Sequence, residues 1–206
     1  MKNLTVCGLL FGFLLTGQPL PRAYADTAAA ATQTQTSALN EVKKTLDEVI
    51  KVVTTYPTDK QLQVRRDKLR EVINPRFDFE EMSKRSLGTY WKEITPEQQK
   101  EFVVVFSDLL ARTYLSKIET VEEGMVKFDG EKVDFPRALV KTIVKYKGDN
   151  FPLDYKLLNE GGSWKVYDVV IENIGLVANY RNEFAGIIRK ESFDGLMKKL
   201  REKSVA

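Results

Sequence analysis

The sequence has no histidine and a single cysteine, Cys7. Those two absences remove the imidazole base, the Cys–His pair, the disulfide framework and the His/Cys metal site. No Gly-rich phosphate loop or Ser-centred nucleophile elbow occurs, and no carboxylates cluster with metal-ligand spacing. A Ser or Thr nucleophile would lack an evident base. Charge of one sign is also missing. The 32 basic residues face 29 acidic ones, so no concentrated basic surface argues for nucleic acid. No run after the N-terminus reaches the ~18 apolar residues of a membrane span.

The N-terminus reads as an export signal. Lys2 precedes an apolar run from Leu4 to Leu15, too short to cross a bilayer. Pro19 and Pro21 break it, and Ala23-Tyr24-Ala25 has the small-x-small pattern of a cleavage site. Residues 1–25 are therefore expected to be a signal peptide, with cleavage after Ala25. Cys7 lies too early, after Val6, to serve as a lipoprotein cysteine. Cleavage would remove Cys7, Lys2 and Arg22, leaving a net charge near +1. Such a chain is long enough to bury a core without disulfides, and a periplasmic location fits. Residues 26–37, rich in Ala, Thr and Gln, carry no periodic pattern and read as a disordered tail. Residues 38–206 read as one domain.

Helical spacing comes first. Leu39, Val42, Leu46, Val49, Ile50 and Val53 mark one helix, ending before Pro57. A second starts near Thr58-Asp59 and stops at Asn74-Pro75. A third spans about Asp78 to Leu87. The fourth opens with Thr95 as cap, Pro96 in the first turn and Gln98 completing a capping box. Phe102, Phe106, Leu109, Leu110, Tyr114 and Ile118 lie along it. After Gly124 the period becomes two. A strand at Met125–Phe128 is followed by a turn signal at Asp129-Gly130. Strands at Arg137–Lys147, Phe151–Asn159 and Ser163–Glu172 read as an antiparallel meander. One strand face is apolar and one charged, so helices must cover the first. Two helices close the chain, through Val177 to Ile188 and Phe193 to Leu200. The order predicts an α+β fold.

Chemical candidates are few. Alternation places Trp164, Val166 and Asp168 on one strand face, where Asp168 reads either as a general base in a closed pocket or, more simply, as a carboxylate held by a backbone group or an Arg. Glu122-Glu123 reads as a solvated pair. The seven aromatics between Phe77 and Tyr114 read as core or as the lining of an apolar pocket, and periodicity does not separate the two.

The stretch FDFEEMSKRSLGTYWKEITPEQQKEFVVVFSDLLARTYLSKI resembles the MlaC family, the toluene-tolerance family of periplasmic lipid carriers. The positions that carry the resemblance are Asp78-Phe79, Leu87-Gly88, Tyr90-Trp91, Thr95-Pro96, Gln98 and Tyr114. WKVYDVVIENIGLVANYRNEFAGIIRKESFDGLMKKL is similar to the family's Trp-x-x-Tyr-Asp strand, its Tyr-Arg-x-x-Phe helix and its final Asp-Gly-Leu. Together the likeness covers about residues 38–203. Asn173 and Ser192 stand where the family often has Gly. Asn tolerates a left-handed backbone and Ser can cap the following helix.

The resemblance implies a curved antiparallel sheet, NTF2-like, covered by N- and C-terminal helices. It implies no enzyme, no metal and no cofactor, but a phospholipid cargo with its acyl chains in an apolar gap and its headgroup largely outside. It also implies partners: an inner-membrane MCE-domain transporter, an outer-membrane lipoprotein–porin complex and transient membrane proximity, with no nucleic acid. The lipid-lining set expected is Phe79, Met82, Tyr90, Trp91, Phe102, Phe106, Leu109, Val140, Val144, Leu153, Tyr155 and Val170, about half of it lining and the rest core. Asp168 and Arg181 are expected to tie the sheet to the C-terminal helix, and Arg112 and Lys141 to lie at a rim or docking face. The alternatives are another apolar cargo, such as a hopanoid, or an acid–base enzyme built on Asp168 and a Tyr. The near-neutral charge suits a carrier that does not adhere to anionic membranes.

Overall fold

In the computed structural model, which describes residues 37–202, the expected α+β order is present. The expected signal peptide and most of the Ala/Thr/Gln tail lie outside the described residues. Helix α1 (Ala38–Thr55) is capped by Ser37, whose Oγ accepts the Asn40 N–H at 3.1 Å. A short 3-10 turn at Asp59–Gln61 leads into α2 (Leu62–Ile73), and a second at Asn74–Arg76 takes up Pro75. Asp78 caps α3 (Phe79–Leu87) by accepting the Glu81 N–H at 2.8 Å. α3 ends at Gly88, whose φ of 59° requires glycine's freedom and begins the 3-10 turn Gly88–Lys92. Thr95 and Gln98 form the expected capping box of α4 (Pro96–Ile118).

The sheet is an open five-stranded antiparallel meander: β1 (Val126–Asp134), β2 (Arg137–Tyr146), β3 (Asp149–Glu160), β4 (Ser163–Ile171) and β5 (Ile174–Gly175). Two features differ from the sequence reading. Asp129-Gly130 is not a hairpin turn. It lies inside β1, where the register slips between Phe128 and Gly130, and the chain reverses instead at Phe135-Pro136. An Asp-Gly pair serves a bulge as well as a turn, because both need a permissive backbone. The short β5 was also not expected. It follows Glu172-Asn173, both at positive φ (49° and 68°), the geometry of a two-residue hairpin loop. Asn173 thus holds the left-handed backbone expected of it.

α5 (Leu176–Glu202) contains the two expected closing helices, joined at Ser192 (φ 69°, ψ 174°). The Ser192 Oγ accepts the Gly195 N–H at 3.5 Å, a long cap for the second segment.

Three apolar clusters hold the fold. The first joins α3, α4 and α5 through Met82, Phe102, Phe106, Tyr180, Phe184 and Leu196. Its aromatic heart is tight, with the Phe106 ring centroid 5.2–5.5 Å from those of Tyr180, Phe184 and Phe102. The second joins α1 to the inner sheet face through Val42, Val140, Leu157, Trp164 and Val169. The third, Val49, Leu69 and Leu115, joins α1, α2 and α4.

Candidate functional site

The three clusters do not close on one another. Between them lies a cavity of about 520 Å³, walled by residues from all three. An enclosed apolar void of ~150 Å³ already admits benzene, so this space is several-fold larger than a packing defect. The sheet supplies Val144, Phe151, Leu153, Tyr155, Leu157, Trp164, Val166, Val169 and Ile171. α1 supplies Val42, Leu46 and Val49. Phe77, Phe79 and Met82 close one side, and Leu110, Ala111, Tyr114, Leu115 and Ile118 of α4 another. Ile73, Val121, Met125, Val126 and Leu176 complete the apolar wall.

Polar groups stand at its margin. Arg76 is held by Glu41 at 3.3 Å and Glu48 at 3.5 Å. Arg70 stands 3.6 Å from Asp67 and 3.9 Å from Asp108. Lys117 lies 5.7 Å from the Tyr114 ring centroid. Of the lining residues that are solvent-exposed, Asn74 follows α2, whereas Lys117, Thr120, Tyr146 and Glu172 gather at the ends of α4, β2 and β4, which marks an opening there. A polar depression of about 330 Å³ over Asp67, Arg70, Glu71, Asn74 and Pro75 lies outside the apolar wall.

Inside the cavity one hydroxyl stands apart. Tyr155 faces the space from the middle of β3, with no hydrogen-bond partner among the described residues. Burial pushes its phenol up to about 12. Tyr114, on the opposite wall, is also pushed up to about 12, first by burial and then by the charge of and hydrogen bond to Tyr180. Both are therefore neutral donors at any ordinary pH.

Of the expected lining set, Phe79, Met82, Val144, Leu153 and Tyr155 are in the wall. Phe102, Phe106 and Leu109 are not. They are buried in the α3–α4–α5 cluster, with Tyr90 and Trp91 packed against it. The Trp91 carbonyl accepts the Gln99 side-chain N–H at 2.8 Å, which fixes the 3-10 turn to α4. Val140 is fully buried in the sheet cluster.

Val170 is on the other sheet face, and so is Asp168. The cause is a bulge. Lys156 pairs with Asp168 but Leu157 pairs with Val166, so Tyr167 is an extra residue in β4. Trp164 and Val166 face the cavity before it, Val169 and Ile171 after it. Asp168 therefore does not share a face with Trp164 and Val166, as strict alternation would have it.

Turned outward, the buried Asp168 accepts the Val177 N–H at 3.0 Å and the Lys156 ammonium at 3.0 Å. It caps the start of α5 from a different element, where a carboxylate also meets the favourable end of the helix dipole. A Cβ at Gly175 would lie 2.9 Å from the Asp168 carboxylate, so glycine makes the close approach possible. Arg181 does not reach the sheet. Its Nε donates to the Arg85 carbonyl at 2.6 Å and ties α5 to α3. Arg112 pairs with Asp108, and Lys141 is exposed on the outer sheet face.

The residues missed are informative. Val42, Leu46 and Val49 form the clear stripe of α1, and Leu110, Tyr114 and Ile118 continue the stripe begun by Phe102 and Phe106. α4 leaves the helical core half-way along its length and becomes cavity wall. Among the described residues no group of His, Cys, Asp or Glu could hold a metal ion, and no helix is long and apolar enough to cross a membrane.

Comparison with known proteins gives a consistent picture. The family model for the MlaC protein matches residues 43–202. The intermembrane phospholipid transport system binding protein MlaC of Haemophilus influenzae is 24% identical over 140 residues, 65% of each chain. Toluene tolerance protein ttg2D of Pseudomonas putida is 29% identical over 133 residues, 62% of this chain and 61% of that one. The chain thus spans a little under two-thirds of these relatives' length. A phospholipid-binding protein from Ralstonia solanacearum, solved in complex with a phospholipid, superposes with a TM-score of 0.74 at 28% identity. That match covers 82% of this chain and 98% of the other.

Proposed function

The chain belongs to the MlaC family, and from that premise we propose that it is a periplasmic carrier that holds phospholipid acyl chains in the cavity and moves lipid between the outer and inner membranes. The observation that carries this reading is the apolar wall itself, a space of about 520 Å³ lined by three core clusters that stop short of each other. The phospholipid complex of the Ralstonia solanacearum relative supports the choice of cargo.

The physics suits the task. Each methylene withdrawn from water is worth about 0.8 kcal/mol, so a sixteen-carbon chain costs roughly 12 kcal/mol to expose. A carrier lowers that cost by offering hydrocarbon-like surface. Transfer from bilayer to cavity is then nearly balanced, and both loading and release proceed without chemistry. The charged margin at Lys117 and Glu172 keeps water and the headgroup at the opening. Asp168, the carboxylate an acid–base mechanism would need, is turned away from the space.

The N-terminal sequence, read as an export signal, supports a periplasmic location. In this reading the carrier exchanges lipid with an inner-membrane MCE-domain transporter and an outer-membrane lipoprotein–porin complex. The test is to purify the protein gently from cells, extract it with organic solvent and identify the extract by mass spectrometry. Near-stoichiometric phospholipid is expected. A protein empty of lipid, or one loaded with a different apolar molecule, overturns the reading.

A further inference from the structure

The near-even charge balance conceals a segregated surface. Strand register fixes which side chains face away from the cavity. Opposite the wall residues Val144, Tyr155 and Val166 lie Lys127 and Lys132 of β1, Arg137, Lys141 and Lys145 of β2, and Lys165 of β4. All six are exposed or half-buried, and among the described residues none is within ion-pair distance of a carboxylate. A seventh cation on this face, Lys156, is taken up by the buried Asp168. Asp154 also points outward, and its Oδ1 accepts the Thr142 N–H at 3.4 Å. Asp134 and Glu160 stand at the hairpin ends, and Asp129 is exposed in the β1 bulge beside Lys141. The patch runs from Arg137 to Lys145, about 27 Å, across four strands, about 14 Å.

Lysines on an edge strand are a familiar guard against strand pairing. That accounts for Lys127 and Lys132 on β1, and for Lys165, where β4 pairs with β3 but not with β5, but not for Arg137, Lys141 or Lys145 on β2, which has a strand on each side. Protein–protein interfaces favour Arg and are poor in Lys. Here five of the six are lysines, compact mobile charges that suit a diffuse anionic plane better than a bidentate carboxylate partner. Half-buried Leu139, Ile143 and Leu158 lie between the cationic stems.

We propose that this outer sheet face docks the protein on the headgroup plane of an anionic phospholipid bilayer. The interaction is electrostatic and reversible, and it is separate from lipid capture, which uses the opposite face of the same sheet. It orients the carrier at a membrane without occupying the cavity.

The test uses the purified chain with vesicles of phosphatidylcholine alone or mixed equally with phosphatidylglycerol, read by co-sedimentation at low and high salt. Binding to the mixed vesicles alone, falling steeply with salt, is expected. The triple variant Lys127→Gln/Lys141→Gln/Lys145→Gln should bind about a hundredfold more weakly, at about fivefold per lysine. Its unfolding midpoint and co-purified lipid should be unchanged, and the corresponding triple Lys→Arg variant should keep vesicle binding. Equal binding to both vesicle types, no binding to either, or unaltered binding by the Gln variant overturns the proposal. Capture by immobilised polyglutamate without vesicle binding would do so too, and would assign the face to an acidic protein.

Discussion

Phe106 and Leu153 are both apolar and both candidates for lipid contact by sequence, and the structure assigns them opposite roles. Phe106 is fully buried among Phe102, Tyr180 and Phe184. Leu153 is half-buried and faces the cavity. Truncating Phe106 to Ala opens a new void in a packed cluster, at a cost of ~3–5 kcal/mol. That is a large share of the ~5–15 kcal/mol that holds a domain folded, yet the variant should still fold. Truncating Leu153 to Ala only enlarges a space already present, and one side of that side chain touches no protein atom. Its loss should cost about 1 kcal/mol in the lipid-free protein. With lipid bound the order reverses for retention. Leu153→Ala gives up contact with the acyl chain worth about 1–2 kcal/mol, and lipid should leave for acceptor vesicles about tenfold faster. Urea unfolding of delipidated protein and a vesicle transfer assay read the two quantities separately. The reasoning is refuted if Leu153→Ala destabilises the empty protein as much as Phe106→Ala does. It is equally refuted if Phe106→Ala sheds lipid while its stability is unchanged.

Three shorter predictions follow from the same geometry. Trp91→Ala should lower stability by ~2–4 kcal/mol, since Trp91 packs on the helical cluster, while the folded fraction retains its lipid; preferential loss of lipid would instead put the ring in the wall. Asp168→Asn should cost ~1–2 kcal/mol and leave lipid content intact, because an amide oxygen still accepts the Val177 N–H while the Lys156 ammonium loses its acceptor, whereas Asp168→Ala should cost ~2–3 kcal/mol by orphaning both donors. Chemical denaturation of both variants tests this, and equal losses would remove the capping role. The buried phenols set the alkaline limit. With folded values raised to about 12 for Tyr155 and Tyr114, the unfolded chain releases these protons first, near pH 10. Stability is thus intact below pH 10 and falls as pH rises from 10 towards 12, by at most roughly 3 kcal/mol for Tyr155 and by less for the half-buried Tyr114, where solvent screens the effect. Tyr155→Phe should flatten that fall in a pH-dependent unfolding series, and an unchanged slope would contradict the burial of its hydroxyl.

What could be read from the chain follows from where the information is local. The start of α4 was legible because a cap and its partner lie three residues apart, as Thr95 and Gln98 do. The meander was legible because alternation and short polar connections are local too. The cavity was not. Whether Phe106 or Tyr114, two turns apart on one stripe of α4, meets core or void depends on how far α5 reaches along that helix. Periodicity carries no such information.

The β4 bulge shows the same limit at a single residue. Alternation assigns every side chain of a strand to a face only while the register is unbroken. One extra residue, Tyr167, reverses the assignment of everything after it. That reversal turns Val169 and Ile171 into the wall and sends Asp168 outward to the start of α5. Without the bulge Asp168 would face the apolar space, where its charge would be costly to bury, and the first turn of α5 would lose its acceptor. The displaced residue is not idle, since the Tyr167 ring is buried with the Arg85 guanidinium 4.4 Å from its centroid. A register break in one strand therefore does two things at once: it keeps the Asp168 carboxylate out of the cavity and fastens the C-terminal helix to the sheet that forms its wall.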